Sequence, residues 1–504
     1  MAQKRPFNHG GKHFKKSKKQ KKSSGAGDGS NEEVLLLDVQ RVLRDVKIRD
    51  SAPPAPEPFA EVDLTISELS STGDGLAIED GQVYVVPFTA PGDTVLAKVY
   101  KAYQEDSYSL TDLVKITSAS QHRTETPKCP YFSRCSGCQF QHLPYAYQLA
   151  HKRRVVEKAY ENFSNLPASA VPEVGDTIAS PLQYGYRTKL TPHFDGPPSG
   201  RRDRRSGQKV TWPEVPPIGY MQKGTRKTLD IEDCPIGTDA VREGLKKERV
   251  RVAEHIDEYQ RGATLLLRES TTRETKTDEE KSYVDEKTCI TDHNATSTEY
   301  VDDFRFDNPA GSFFQNNNSI LPVVTQYVRD NILGPTSNDQ PPITNLIDAY
   351  CGSGFFTVTL SSLFNKCIGI DISPQSITYA SANAKLNNLA PDSTQFIAAD
   401  ANQLFDSLDK TRFIPAQTAV VLDPSRKGCD DNFLRQLMDF GAERLCYVSC
   451  NVHTQARDIG KLVGGGEDEE GLPRKGMYEI ESVRGFDFFP QTSHVESVAI
   501  LKKR

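Results

Sequence analysis

Three residues with reactive side chains stand next to apolar runs in the final part of the chain. Asp423 lies in "VVLDPSRKG", Cys450 in "YVSCNVHT" and Glu496 in "TSHVESVAI". Taken singly, the cysteine is a buried hydrophobic residue, a metal ligand or a nucleophile, the aspartate can cap a turn, and the glutamate can be surface charge. At the strand ends of one sheet, a thiol and two carboxylates can together perform nucleophilic and acid–base chemistry.

A glycine turn upstream predicts a cofactor site. In "LIDAYCGSGFF", Gly352 and Gly354 separate a predicted strand from a predicted helix, so the backbone can approach a ligand at the helix N-terminus. The next two predicted strands end in Asp371 and Asp400, which can accept hydrogen bonds from ribose hydroxyls and from an adenine amino group. The chain lacks the G-x-G-x-x-G spacing of dinucleotide sites. The predicted cofactor is therefore an adenosyl ligand without phosphates, S-adenosylmethionine.

A thiolate, a carboxylate and a sulfonium methyl donor together suit the methylation of an unreactive sp² carbon, such as C5 of uracil. Cys450 would add to C6 and make C5 electron-rich, and a base would then remove the C5 proton so that the thiol can leave. Because an ordinary thiol has a pKa of about 8.5, we expect the site to supply positive charge or a nearby base. Cys367 and Cys446 lie inside predicted strands and are expected to be buried hydrophobic residues.

Four other cysteines have the spacing of a metal site. "CPYFSRCSGCQFQH" contains Cys129, Cys135 and Cys138, and Cys234 follows in "EDCPIG". Four thiolates are enough for a [4Fe–4S] cluster or a tetrahedral zinc ion, and spacing alone does not separate these two. An empty site is a third interpretation. Because the methyl transfer needs no electrons, the role of such a metal would be structural.

The sequence pattern predicts four successive regions with different secondary structure. Residues 1–55 contain a basic tail, expected to be disordered, a short predicted helix in "NEEVLLLDVQRVLRDV" and a proline-rich linker. Short alternating strands with glycine turns over 56–118 predict a small β-barrel. Residues 119–310 have a mixed α/β pattern, with the cysteine cluster and a polar, acid-rich insertion. Over 311–504 strands alternate with helices, which predicts a Rossmann-like, doubly wound α/β sheet.

Composition and charge exclude several classes of protein. No apolar run is long enough to cross a bilayer, and ten cysteines in 504 residues do not make a secreted disulfide scaffold. The net charge is −6, yet the first acidic residue is Asp28, after a run of lysines and arginines. We therefore expect an intracellular protein, in the nucleus, the cytoplasm or both, with the mitochondrion left open. The basic tail would attract RNA or direct nuclear entry, or serve only solubility.

Six motifs, in their order along the chain, resemble those of a known family. They are "FFQNN", "DAYCGSGFF", "GIDIS", "LDPSRKG", "VSCNVHTQARD" and "FPQTSHVESV". The chain resembles the RNA uracil-C5 methyltransferases, and residues 56–118 are similar to the TRAM domain, an RNA-binding module. The family commonly has "SCNP" and "DPPR", where this chain has Val452 and Ser425. Both differences fall beside the reactive residues and not on them.

The resemblance implies a role for each residue of the site. Cys450 would be the nucleophile and Glu496 the proton acceptor. For the four-cysteine cluster the resemblance favours an iron–sulfur cluster, because the bacterial ribosomal-RNA branch has one with a similar spacing. The residues that would contact S-adenosylmethionine, or the site around it, are Gln315, Tyr350, Asp371 and Asp423.

The resemblance also implies a substrate. We expect methylation of uridine C5 at position 54 of the tRNA T-loop by a monomeric protein, with ribosomal RNA as the nearest alternative. A non-catalytic RNA chaperone on the same fold is a second alternative, although Cys450 and Glu496 are both present. A small-molecule methyltransferase is a third, and it would need neither the barrel nor the basic loop "GRRDRRSGQK".

Overall fold

The computed structural model describes residues 27–45, 56–197, 210–275, 283–335, 341–399, 408, 411–467 and 473–504. Four predicted features lie wholly or mostly outside these ranges: the basic tail over 1–26, the proline-rich linker, the basic loop over 198–209, and Asp400. Within the ranges, no helix is both long and apolar enough to span a membrane.

The barrel predicted over 56–118 is a six-stranded sheet. Its strands are β1 (Glu61–Thr65), β2 (Glu68–Leu69), β3 (Gly75–Glu79), β4 (Gln82–Val86), β5 (Thr94–Tyr103) and β6 (Tyr108–Ser118). They lie in the order β1-β5-β6-β4-β3-β2, and all neighbours are antiparallel except β4 and β6. In β5, Val95, Ala97 and Val99 are buried and the residues between them are more exposed, because successive side chains of a strand point to opposite faces.

The predicted N-terminal helix, α1 (Asn31–Asp45), packs against this sheet. Val39 and Val42 share one hydrophobic cluster with Leu76 and Val83 of the barrel. The segment 1–55 therefore contributes a packed helix as well as the predicted tail and linker.

The described part of 119–310 contains two α-helices and three small sheets. The helices are α2 (Tyr145–Phe163) and α3 (Asp239–Glu254). The strands are β7 (Gly175–Ile178), β8 (Lys189–Leu190), β9 (His193–Phe194), β10 (Gly219–Met221), β11 (Thr228–Asp230), β12 (Ala263–Thr264), β13 (Leu267–Thr275), β14 (Tyr283–Ile290), β15 (Thr296–Val301) and β16 (Phe304–Pro309). The small sheets have the orders β11-β10-β9-β12, β14-β13-β8 and β15-β16. Much of the acid-rich insertion forms the antiparallel pair of β13 and β14, and β14 is exposed along most of its length.

The remainder of the chain contains the predicted doubly wound sheet. The helices are α4 (Leu321–Asn331), α5 (Phe355–Leu360), α6 (Pro374–Leu386), α7 (Asp431–Phe440) and α8 (Val452–Gly464). The strands are β17 (Asn345–Ala349), β18 (Lys366–Asp371), β19 (Thr394–Ala398), β20 (Thr418–Leu422), β21 (Arg444–Ser449), β22 (Gly465–Glu467), β23 (Pro473–Lys475), β24 (Tyr478–Phe486) and β25 (Glu496–Lys503). The large sheet has the order β19-β18-β17-β20-β21-β25-β24-β7, while β22 and β23 form a separate pair. From β19 to β21 the strands are parallel, and β25 is antiparallel to both of its neighbours.

Apolar side chains cover both faces of the large sheet. Ile347 and Leu445 pack on one face with residues of α2, α7 and α8, and Leu346 packs on the other with residues of α4 and α5. Cys367 and Cys446 are buried among these hydrophobic residues, as predicted. A sheet that is buried on both faces has nearly continuous apolar strands, which explains why these strands could be predicted from the sequence.

Two elements of the central region belong to the large sheet in space. β7 is its edge strand beside β24, and α2 packs against α8. Lys152 of α2 donates to the Asp487 carboxylate at 2.5 Å, and both side chains are fully buried. The domain boundaries predicted after residues 118 and 310 stay predictions. In folds of this kind, ligands bind beyond the carboxyl ends of the parallel strands.

Candidate active site

The carboxyl edge of the parallel strands brings the three predicted reactive residues together. Asp423 follows β20, and Cys450 follows β21. Glu496 is the first residue of β25, which pairs with β21 so that Ser449 lies opposite Ser497. The next positions along the two strands are Cys450 and Glu496, so the thiol and the carboxyl come from neighbouring strands.

The surroundings of the Cys450 thiol favour its protonated form. Burial raises its pKa to about 12, and the carboxylates of Glu496 and Asp423 add to that rise, while the Arg426 guanidinium acts in the opposite direction. A thiol must lose its proton before it can act as a nucleophile. The site therefore depends on a cation or a proton acceptor beside Cys450, and Arg426 is a cation in that position.

Arg426 is a candidate functional residue to which the sequence analysis assigned no role. It lies on an exposed loop of "LDPSRKG", and its charge lowers the pKa of both Cys450 and Glu496. Its backbone carbonyl accepts a hydrogen bond from Asn451 Nδ2 at 2.9 Å. The sequence predicted that the site needs positive charge, but spacing alone does not distinguish Arg426 from the adjacent Lys427.

Three carboxyl groups at this edge have raised pKa values. Glu496 is 3% exposed; burial raises its pKa to about 8, Asp423 adds to the rise, and Arg426 opposes it. Burial and the nearby Asp348 raise the pKa of Asp423 to about 7. Burial also raises the pKa of Asp348 to about 7, although its carboxyl accepts hydrogen bonds from Thr357 N–H at 2.8 Å and Thr357 Oγ1 at 2.6 Å. Groups that titrate near neutral pH can accept or release protons during catalysis.

The glycine turn after β17 leaves room for a ligand. Tyr350 and Gly352 have positive φ angles of 66° and 54°. A Cβ atom at Gly352 would meet nothing within 4 Å, so there is open space beside the backbone. Asp371, at the end of β18, accepts hydrogen bonds from the N–H groups of Gly352 at 3.0 Å and Ser373 at 2.8 Å. Asp371 therefore fixes the turn at which the cofactor is predicted to bind.

Other predicted cofactor residues lie on neighbouring loops. Tyr350 packs edge-on against Phe433 of α7, with ring centroids 5.3 Å apart. Gln315 is half-buried on the loop between β16 and α4. Asn317 anchors that loop, because its Nδ2 donates to the Phe488 carbonyl at 3.1 Å. Asp400 lies outside the described residues, and its role stays a prediction.

The four clustered cysteines come together from two segments. Cys129, Cys135 and Cys138 precede α2, and Cys234 precedes α3. Burial raises the pKa of Cys138 to about 12, and the charges of the other three thiolates add to that rise. Within the described ranges, however, no three His, Cys, Asp or Glu side chains are arranged to hold a metal ion. The four thiols are neighbours that do not form a ligand set, and we derive no chemical step from a metal.

The fold is similar to that of a solved archaeal protein. The Pyrococcus abyssi tRNA (uracil-54, C5)-methyltransferase, in complex with S-adenosyl-L-homocysteine, matches with a TM-score of 0.59 and 22% sequence identity. The match covers 87% of this chain and 100% of the archaeal one. At this identity, the likeness shows the fold alone.

Two fungal proteins are similar over nearly the whole chain. The tRNA (uracil(54)-C(5))-methyltransferase of Schizosaccharomyces pombe is 42% identical over 498 residues, covering 98% of this chain and 87% of the relative. The protein of the same name from Saccharomyces cerevisiae is 39% identical over 521 residues, covering 94% and 78%. A TRAM domain model matches residues 57–109, and a model described as tRNA (Uracil-5-)-methyltransferase matches residues 246–504. The chain belongs to the tRNA (uracil-5-)-methyltransferase family.

Proposed function

We propose that this protein transfers the methyl group of S-adenosylmethionine to C5 of uridine 54 in tRNA. The observation that carries the proposal is the pairing of β21 with β25, which places Cys450 beside Glu496 at the edge that also holds the glycine turn. Family membership and the TRAM match support an RNA substrate. The names of the two fungal relatives support position 54 of tRNA.

The chain's own residues would supply the covalent and acid–base steps. The Cys450 thiol first loses its proton to solvent. The thiolate then adds to C6 of uracil and forms a carbon–sulfur bond, and the electron pair of the C5–C6 double bond becomes available at C5. S-adenosylmethionine, when bound, supplies the methyl group that C5 takes. In its ionised form, which Arg426 favours, the Glu496 carboxylate then accepts the C5 proton, the double bond reforms, and the thiolate leaves. Arg426 favours the thiolate before the attack and after the release, because its charge lowers the pKa of Cys450.

The proposed cofactor contacts surround the glycine turn. Asp371 would accept hydrogen bonds from ribose hydroxyls, and Asp400 would accept one from the adenine amino group. The open space beside the turn supports this placement. The remaining contacts would come from Gln315, Tyr350 and Asp423.

We further propose a monomer located in the nucleus or the cytoplasm. The support for this location is the basic tail, since residues 1–26 contain nine lysines and arginines and no acidic residue. The tail lies outside the described residues, and its sequence suits RNA attraction or nuclear entry.

Incubation with labelled S-adenosylmethionine and total RNA should label uridine 54 of tRNA, and Cys450→Ala should abolish the labelling without loss of cofactor affinity. The control is Cys446→Ala in the buried strand, which should stay active and lose on the order of 1 kcal/mol of stability. Label in ribosomal RNA would overturn the tRNA assignment. RNA binding without any label would favour the chaperone, and equal methylation of free uridine would favour the small-molecule alternative.

Glu496→Gln should stop the reaction after methyl transfer. Glutamine keeps the size and hydrogen-bonding capacity of glutamate but cannot accept the C5 proton. With tRNA and S-adenosylmethionine, the variant should accumulate a covalent protein–RNA complex that survives denaturing electrophoresis and carries the methyl label. The double variant Cys450→Ala/Glu496→Gln should form none. Normal turnover by Glu496→Gln would show that another group, with Asp423 tested next, is the base.

Arg426→Met should shift the reactivity of Cys450 to higher pH. The raised pKa keeps the thiol protonated at neutral pH, so its alkylation rate should keep rising as the pH increases from about 7 to 10. The rate of an ordinary thiol levels off above its pKa of about 8.5. Removing the guanidinium raises the pKa further, which lowers the rate at every pH below it. Mass spectrometry of the Cys450 peptide after iodoacetamide treatment measures this rate. Lys427→Met, which removes the adjacent exposed cation, is the control; equal profiles for the two variants would remove Arg426 from the mechanism.

We also propose that Cys129, Cys135, Cys138 and Cys234 hold a structural metal, an iron–sulfur cluster in preference to zinc. The gathering of four thiols from two segments supports it. Protein purified without oxygen should be brown and contain iron and sulfide, and Cys138→Ser should lose both. A colourless, fully active preparation without iron or zinc would end the proposal.

A further inference from the structure

The short segment Gly27–Ser30, just ahead of α1, lies against the residues that follow Cys450. Asn451 Nδ2 donates to the Gly29 carbonyl at 3.3 Å as well as to the Arg426 carbonyl at 2.9 Å. One side chain, directly after Cys450, therefore joins the N-terminal segment to the loop that carries the cation of the site. Residues 29 and 451 are distant in sequence, so no local pattern predicts this contact.

Arg457 of α8 also connects the N-terminal segment to the loop that carries Arg426. Its Nη1 donates to the Gly27 carbonyl at 3.3 Å, and its Nη2 donates to the Lys427 carbonyl at 2.9 Å. The buried Asp458 carboxylate pairs with the guanidinium at 2.7 Å and holds it in place. Asn451 and Arg457 thus each bind one carbonyl of the N-terminal segment and at least one carbonyl of the loop over 423–430, the Arg426 loop.

The backbone conformation of Gly29 and the space around it suit a glycine at this contact. Its φ is +62°, which favours glycine, and a Cβ atom there would lie 3.0 Å from both Asn451 Nδ2 and Thr454 Cγ2. Its N–H donates to Glu33 Oε2 at 2.9 Å, which ties it to the first turn of α1. A side chain at this position would be strained by the positive φ and would require Asn451 or Thr454 to shift by a few tenths of an ångström.

The segment is held in place by rigid elements on its other side. Asp38 of α1 is buried, with its carboxylate 3.2 Å from Lys158 Nζ of α2, and accepts the Ser71 N–H at 2.5 Å. Val39 of the same helix packs into the barrel. Helix α1 is therefore also held by contacts with the barrel and α2, which lie outside the loop that carries Arg426.

We propose that Gly27–Ser30 is a positioning segment of the catalytic site, whose carbonyls hold Asn451 and Arg457 and thereby orient Cys450 and the Arg426 loop for attack on the uracil. The inference rests on the proposed function for the identity of the attacked base. It adds to that function a requirement for a segment more than 400 residues away in sequence from the nucleophile.

The test is Gly29→Ala in the full chain, compared with Gly224→Ala. Gly224 also has a positive φ, of +73°, but a Cβ atom there would have its nearest contact at 3.6 Å, so this control adds the backbone strain without the clash. Gly29→Ala should slow covalent adduct formation about tenfold or more, since displacement of a reacting group by about 1 Å can cost a hundredfold in rate. The affinities for tRNA and S-adenosylmethionine, measured separately, should not change, and Gly224→Ala should react at the wild-type rate.

Asn451→Asp tests the same contact from the other side. Aspartate keeps the oxygen that accepts the His453 N–H at the start of α8 but lacks the donor that binds Gly29 and Arg426. It should slow the adduct step as well, and the double variant Gly29→Ala/Asn451→Asp should be no slower than the slower single variant, because both act on one contact. Wild-type adduct rates in either single variant, or rate losses that multiply, would overturn the inference. If the wild type itself labels no uridine, the proposed function fails instead.

Discussion

The antiparallel pairing of β25 with β21 is the constraint on which the candidate site depends. Parallel strands all end at the same edge of a sheet, and a strand added in the opposite direction begins at that edge. Glu496, the first residue of β25, therefore lies beside Cys450, which follows the last residue of β21. The register matters as much as the direction, because a shift of one residue would turn the Glu496 side chain to the other face of the sheet.

Burial then gives these side chains their acid–base character. The low polarity of the sheet edge disfavours negative charge, so burial raises the pKa of the Cys450 thiol and of the Glu496 and Asp423 carboxyls together. Each ionised neighbour makes ionisation of the next less favourable, which means that the site carries few negative charges at once. The exposed cation Arg426 has the opposite effect, because its charge stabilises the ionised forms of Cys450 and Glu496.

Most of this fold and part of the site can be predicted from the sequence. The reason is that a strand or helix with a regularly buried face has a recognisable pattern of apolar residues. The strands before Asp423 and Cys450 are buried on both faces and appear as apolar runs, so their ends could be located. The short β7 has no such run, and its place at the sheet edge depends on pairing with β24. The contact between Gly29 and Asn451 likewise depends on the folded chain, and the cysteine spacing predicted a ligand set that the described residues do not form.

Buried ion pairs connect the carboxyl edge of the parallel strands to the N-terminal barrel and α1. Lys158 of α2 pairs with Asp38 of α1, and Lys152, almost two helical turns earlier, pairs with Asp487 ahead of β25. A buried ion pair contributes little net stability, because desolvation offsets the attraction, but it strongly disfavours any arrangement that separates its partners. Helix α2 thus fixes the barrel-bound α1 and the segment before Glu496 relative to each other. The relative positions of Cys450 and Glu496 therefore depend on the N-terminal elements as well as on the doubly wound sheet.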